Sequence, residues 1–162
     1  MSDATTQGGW LVLLTLGVAL ALMVLPMPFG LEMLRPQWVA LLTLYWCLTV
    51  PDRFGVFSAF ALGLALDLIL GSLLGQHALS LSLLAYAAVM LQQRVRVFPI
   101  WQQAVFVWLL LVAERLINLW VLAATATPLP AWDDWMSTLI GFLLWPWLFF
   151  VMSDLARRAG LV

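Results

Sequence analysis

The chain has 162 residues, 65% of them hydrophobic and only 9% charged. Soluble domains carry about 25% charged residues, so apolar runs that fill whole segments mark lipid as the solvent around most of this chain. Seven arginines, no lysine and a formal net charge of −1 exclude the clustered positive face that nucleic acid requires, and a Walker-type phosphate loop is excluded for want of its lysine.

The first ten residues, MSDATTQGGW, lack the positive region of a cleaved signal peptide, so the apolar run over residues 10–25 reads as a retained first span. Further spans follow at 37–50, 54–74, 77–91, 100–124 and 135–152. The breaks PMPFG, PDRFG, GQH, RVRVFP and TPLPAWDD hold most of the prolines and several of the charges. Two spans are short. Pro36 and Pro51 bracket fourteen residues, and 77–91 has fifteen. At about 1.5 Å per residue these reach roughly 21–23 Å, against a hydrocarbon core of roughly 30 Å. Each must use flanking residues, thin the bilayer or be sheltered by neighbours. The lone Cys47 has no disulfide partner and reads as a small core residue. The expectation is one all-α polytopic membrane domain over residues 1–162, with about six transmembrane helices.

With six crossings, Arg53, Arg94, Arg96, Arg157 and Arg158 fall on one side. Arg35 falls on the other with Glu32, Asp133 and Asp134. The positive-inside rule then puts both termini in the cytoplasm. Trp10 and Trp101 fall near the inner surface, and Trp38, Trp132 and Trp135 near the outer.

Depth singles out a polar layer. Asp67 is the fourteenth residue after Arg53 and Glu114 the fifteenth counted from Ile100, so both lie roughly 20 Å from the inner surface. Arg115 follows, and Asn118 lies one turn beyond Glu114 on the same face. A mid-membrane Asp or Arg costs about 2.5–3.5 kcal/mol, which pairing offsets. Asp67 and Arg115 are therefore expected to face one another, or to share a polar pocket with Glu114. Gly63, Asp67, Gly71 and Gly75 stand four apart, continuing back to Ala59 and Gly55. Such a ridge of small residues lets another helix approach closely. The charged group admits two readings, a ligand or proton site between helices and an ion pair that fixes helix register.

Other residues carry weaker signals. His77 follows Gly75 and Gln76 and reads as a helix-start residue, since no second His or Cys stands at metal-ligand spacing. Ser72, Ser80 and Ser82 lack the G-x-S-x-G elbow of a hydrolase and read as serines bonding to backbone or to a neighbouring helix. Pro146, between Trp145 and Trp147, marks either a hinge or a kink packed in the bundle. The loop TPLPAWDD reads as a partner contact or an interfacial belt. No catalytic, metal or cofactor constellation emerges.

Several strings, in order along nearly the whole chain, resemble the MreD family of rod shape-determining proteins of Gram-negative bacteria. They are RPQW at 35–38, LYW at 44–46, GLALDLILGSLLGQHAL at 63–79, SLLAYAAV at 82–89, WQQA at 101–104 and LLWPW at 143–147. The resemblance implies a non-enzymatic scaffold of the cell-wall elongation machinery in the inner membrane. It implies MreC as a direct partner, and MreB, RodA and the transpeptidase paired with RodA as indirect ones. It further implies a helix arrangement similar to the S components of energy-coupling-factor transporters. Asp67 with Gly63, Gly71, Ser72 and Gly75 lies in the matching stretch, whereas the Glu114–Arg115 feature is read from the residues alone. Two rival functions follow from the polar layer: a small-molecule-binding subunit of a transporter, and an intramembrane enzyme using two carboxylates as acid and base.

Overall fold

The computed structural model describes residues 3–25, 35–125 and 135–161, with side chains from residue 9 onward. Glu32, Trp132, Asp133, Asp134 and the loops PMPFG and TPLPAWDD lie outside the described residues, in whole or for the most part. The described residues form six helices and no strand: α1 (Asp3–Val24), α2 (Trp38–Thr49), α3 (Val56–Leu70), α4 (Gln76–Val95), α5 (Ile100–Ala124) and α6 (Met136–Arg158). Three of them, α4, α5 and α6, are long and apolar enough to cross a membrane. Their outward faces carry Tyr86, Trp120, Leu143 and Phe150, all exposed, as expected of helices whose solvent is hydrocarbon.

The short helix α2 is the centre of the bundle. Every residue from Val39 to Leu48 is buried, and α1, α4, α5 and α6 all pack on it. Of the three ways to accommodate a short span, shelter by neighbours is the one realised. A helix of 12 residues, about 18 Å long, loses a large share of its backbone bonds to its two ends. Arg96 serves one of those ends from the far end of α4, donating from Nε to the Leu48 carbonyl at 2.7 Å and from Nη2 to the Thr49 carbonyl at 2.7 Å. Arg35 does the same for α1, donating to the carbonyls of Met23 and Leu25. In both cases a cation meets the negative end of a helix, where orphan carbonyls and the macrodipole favour it. The aromatic core sits on α2 as well: the indole N–H of Trp46 donates to Thr15 Oγ1 at 3.0 Å, and Tyr45 stacks edge-on against Trp46 and Phe149.

Four helix boundaries depart from the expected spans by more than two residues, the first being the start of α1 at Asp3 in place of residue 10. The segment 54–74 stops being helical at Leu70, because Gly71 takes a left-handed φ of 64° and ends the helix. Helix α4 runs on through Gln92, Gln93 and Arg94, and α6 through Asp154 to Arg158. Polar helix formers extend a helix past the apolar stretch that marks a span. The Asp154–Arg158 pair at 2.8 Å adds i,i+4 support at the end of α6. Pro146 is half-buried within α6, beside the fully buried Trp145, and the helix continues past it.

Helices α3 and α4 form the most extensive helix–helix contact in the fold. Gly63 is the reason they come so close. A Cβ on Gly63 would lie 2.4 Å from Ala78 Cα, 2.6 Å from its backbone nitrogen and 2.7 Å from the His77 carbonyl carbon. Those atoms are backbone and cannot rotate aside. The expected ridge of glycines resolves into two roles. Ala59, Gly63 and Asp67 are buried on α3, while Gly71 and Gly75 shape the turn that follows, both with positive φ. Gly55 has only Pro51 O, at 3.7 Å, near a would-be Cβ.

Gly63→Ala should therefore separate α3 from α4, at a cost of about 1–3 kcal/mol or more from overpacking. The thermal midpoint of the purified protein should fall, and Gly63→Leu should abolish accumulation. Gly9→Ala and Gly17→Ala, where a Cβ meets nothing within 4 Å, should stay at or above wild type.

Candidate functional site

Asp67 lies in the last turn of α3, buried on the face that meets α4. The chain then reverses through Gly71 to Gly75, and the first turn of α4 returns beside the carboxylate. Oδ1 accepts from the Ser72 hydroxyl at 2.8 Å, from the His77 backbone N–H at 3.0 Å and from the His77 ring at 2.7 Å. Oδ2 accepts from the Gly75 N–H at 2.8 Å and the Ala78 N–H at 3.4 Å. A carboxylate only accepts, which assigns the proton on the His77 ring to Nδ1. Asp67 is thus an N-terminal cap supplied from the preceding helix. It takes up orphan N–H groups of α4 and places negative charge at the positive end of that helix. Gly75, at φ 100°, turns the chain so that its N–H reaches the acid.

A second polar cluster joins α4 to α5. Ser80 donates to the His77 carbonyl at 3.2 Å or to Glu114 Oε1 at 3.1 Å. Asn118 donates from Nδ2 to Glu114 Oε1 and, at 3.2 Å, to the Glu114 carbonyl. Ser80, Glu114 and Asn118 are all buried. His77 therefore links the two clusters, its ring on Asp67 and its carbonyl on Ser80. Beside them a cleft of about 120 Å³ is lined by His77, Glu114, Arg115, Asn118 and Gln76, with Gln37 from the entry to α2.

The expected Asp67–Arg115 pair is corrected: among the described residues, the side chains hydrogen-bonded to Asp67 are those of His77 and Ser72. Residue spacing measured depth along two helices, but the turn at Gly71–Gly75 brings the start of α4 to Asp67 before α5 can reach it. Glu114, Arg115 and Asn118 do share one pocket, and His77, not Asp67, brings the α3–α4 side into it. The reading of His77 as a helix-start residue holds, since α4 begins at Gln76, but its side chain also completes the aspartate cap. Ser72 bonds to Asp67, Ser80 to Glu114 and Ser82 back to the Ala78 carbonyl, so all three serines serve helix contacts or backbone. Pro146 lies in α6 and is not among the residues lining this cleft. His77, Ser80 and Gln37 were missed as site residues. For two of them a signal existed: His77 opens the helix after a turn bounded by glycines, and Ser80 stands three residues further, one turn along the same helix.

Asp67→Leu should leave the Gly75 and His77 N–H groups and the His77 ring without their acceptor, at about 1–3 kcal/mol for each buried group left unpaired. Asp67→Asn keeps one acceptor oxygen but turns an amide N–H₂ toward donors, so it should lower stability by less than leucine does. In a double-mutant cycle, Asp67→Asn and His77→Gln should couple by about 0.5–3 kcal/mol, as residues in contact do. Asp67→Asn and Arg115→Gln should couple less. Thermal unfolding of the detergent-solubilised protein reads both cycles, and a larger coupling to Arg115 would restore the original pairing.

Compared with known proteins, residues 4–155 match the family described as rod shape-determining protein MreD. A rod shape-determining protein MreD of Haemophilus influenzae is 36% identical over 153 residues, covering 94% of each chain. No solved structure matches. The match takes in α3, α4 and α5 whole, with the aspartate cap and the polar cleft between them, and the chain belongs to the MreD family of rod shape-determining proteins.

Proposed function

We propose that this chain is a non-enzymatic membrane scaffold of the cell-wall elongation machinery. It acts in rod shape determination by holding partner transmembrane segments at defined positions. The direct partner is MreC; MreB, RodA and the transpeptidase paired with RodA are reached through the assembly. The protein lies in the bacterial inner membrane with both termini in the cytoplasm, an orientation supported by the five-to-one arginine bias.

One observation carries this reading beyond the family match. The most deeply placed acid on α3 is engaged wholly by the fold: each hydrogen bond to Asp67 comes from the turn or first residues of α4. A group held by five such contacts is suited to fixing the angle and register of a hairpin that partners then read. The two carboxylates also belong to different clusters, Asp67 with α4's first turn and Glu114 with Ser80 and Asn118. The shared acid–base arrangement of an intramembrane enzyme would instead need them to face a common substrate.

The test is gentle purification from native membranes, with identification of the accompanying proteins. An MreC-like chain should be foremost, followed by wall-synthesis proteins. In cells, loss of rod shape in Asp67 and Gly63 variants should track loss of the folded chain. A variant that accumulates and recruits partners at wild-type levels, yet fails to support rod shape, would point to chemistry at the site instead. Co-purification of a transporter ATPase would favour the transporter-subunit reading.

A further inference from the structure

The cleft between α4 and α5 presents acceptors that the protein does not use. Glu114 is 5% exposed and Asn118 7%. Asn118 must turn Nδ2 toward the Glu114 backbone carbonyl, which can only accept. That fixes the amide orientation, and Oδ1, on the other side, is buried with no hydrogen-bond partner among the described residues. Gln37 Oε1 is likewise buried and unpartnered. Oε1 of Glu114 takes both of its side-chain donors, Ser80 and Asn118, leaving Oε2 as a further acceptor. Three residues that line one cleft thus offer oxygen lone pairs. Buried polar atoms without partners are uncommon, and a ligand carrying hydrogen-bond donors would satisfy these acceptors.

We propose that this cleft binds a primary ammonium group, as carried by an ethanolamine headgroup or a small soluble amine. An ammonium supplies three donors and one positive charge, matching convergent acceptors beside a buried carboxylate. A bare metal ion fits less well. The cleft, at about 120 Å³, is much larger than one ion, and Arg115 in its wall opposes an isolated cation. Met23, Leu119 and Leu122 continue the lining with the apolar surface that the first carbons of a lipid would meet.

The full chain, purified in detergent, is mixed with equal amounts of phosphatidylethanolamine and phosphatidylglycerol, and the lipids it retains are read by native mass spectrometry. A hydrogen-bonded charge interaction of about 1.5–3 kcal/mol corresponds to about a tenfold or greater preference for the ethanolamine lipid. Glu114→Gln should bring that preference close to parity. Gln37→Leu should reduce it severalfold, and because Gln37 Oε1 has no hydrogen-bond partner among the described residues, this variant tests the site even if Glu114→Gln fails to accumulate. A second arm adds free ethanolamine and follows the thermal midpoint. A rise in wild type that is absent in Glu114→Gln, without lipid preference, assigns the site to a soluble amine. Wild type showing neither lipid preference nor a response to ethanolamine would overturn the proposal and leave a cleft filled by water. So would a preference unchanged in both variants.

Discussion

A helix that ends in or near hydrocarbon has no water to close its terminus, and the fold is organised around that constraint. Three ends are closed by side chains from elsewhere in the chain. Asp67 takes N–H groups at the start of α4, Arg96 takes carbonyls at the end of α2, and Arg35 takes those at the end of α1. In each case the sign of the charge matches the end of the dipole it meets. A short central helix is feasible only under these terms. With 12 residues, α2 has few internal bonds relative to its exposed ends, and burial by four neighbours together with a guanidinium cap substitutes for length.

The same economy explains why so few charged residues suffice. Arg96 and Arg35, far apart in the chain, each complete the backbone hydrogen bonding of a helix end. Asp67 neutralises a helix end and, through His77, Ser80 and Asn118, reaches the Glu114 cluster on α5. Helices α3, α4 and α5 are thereby tied by a continuous polar path inside an otherwise apolar bundle. Around that path the packing is close: Gly63 lies against the backbone of Ala78, and Ala85 and Ala88 on α4 are fully buried.

Much of this was legible in the residues. Apolar runs separated by prolines and glycines located all six helices, and α5 matched its expected bounds. The boundaries that shifted did so for a shared reason, since apolar content reports lipid and not backbone conformation. Gln92 to Arg94 are polar and still helical, while Leu73 and Leu74 are apolar and lie in a turn. The importance of Asp67 and its glycines was visible from spacing. Its partner was not, because spacing along straight helices gives depth, whereas the pairing depends on how two left-handed glycines fold the chain back. The buried environment of Glu114 and Asn118 followed from their common face. That Ser80 would bind them depended on the α4–α5 packing, which no local pattern encodes.

The aspartate cap also bears on how the hairpin enters the bilayer. When α3 leaves the ribosome, its carboxylate has none of the α4 donors that it accepts from in the finished fold. The last of them, Ala78, is synthesised only eleven residues later, within the first turn of α4. A lone α3 would carry an unsatisfied acid into lipid, and a lone α4 would carry bare N–H groups. Delivered together as a closed unit, the two cancel each other's desolvation cost. The loop from Gly71 to Gly75 is thus short enough for α3 and α4 to enter the bilayer as one closed unit.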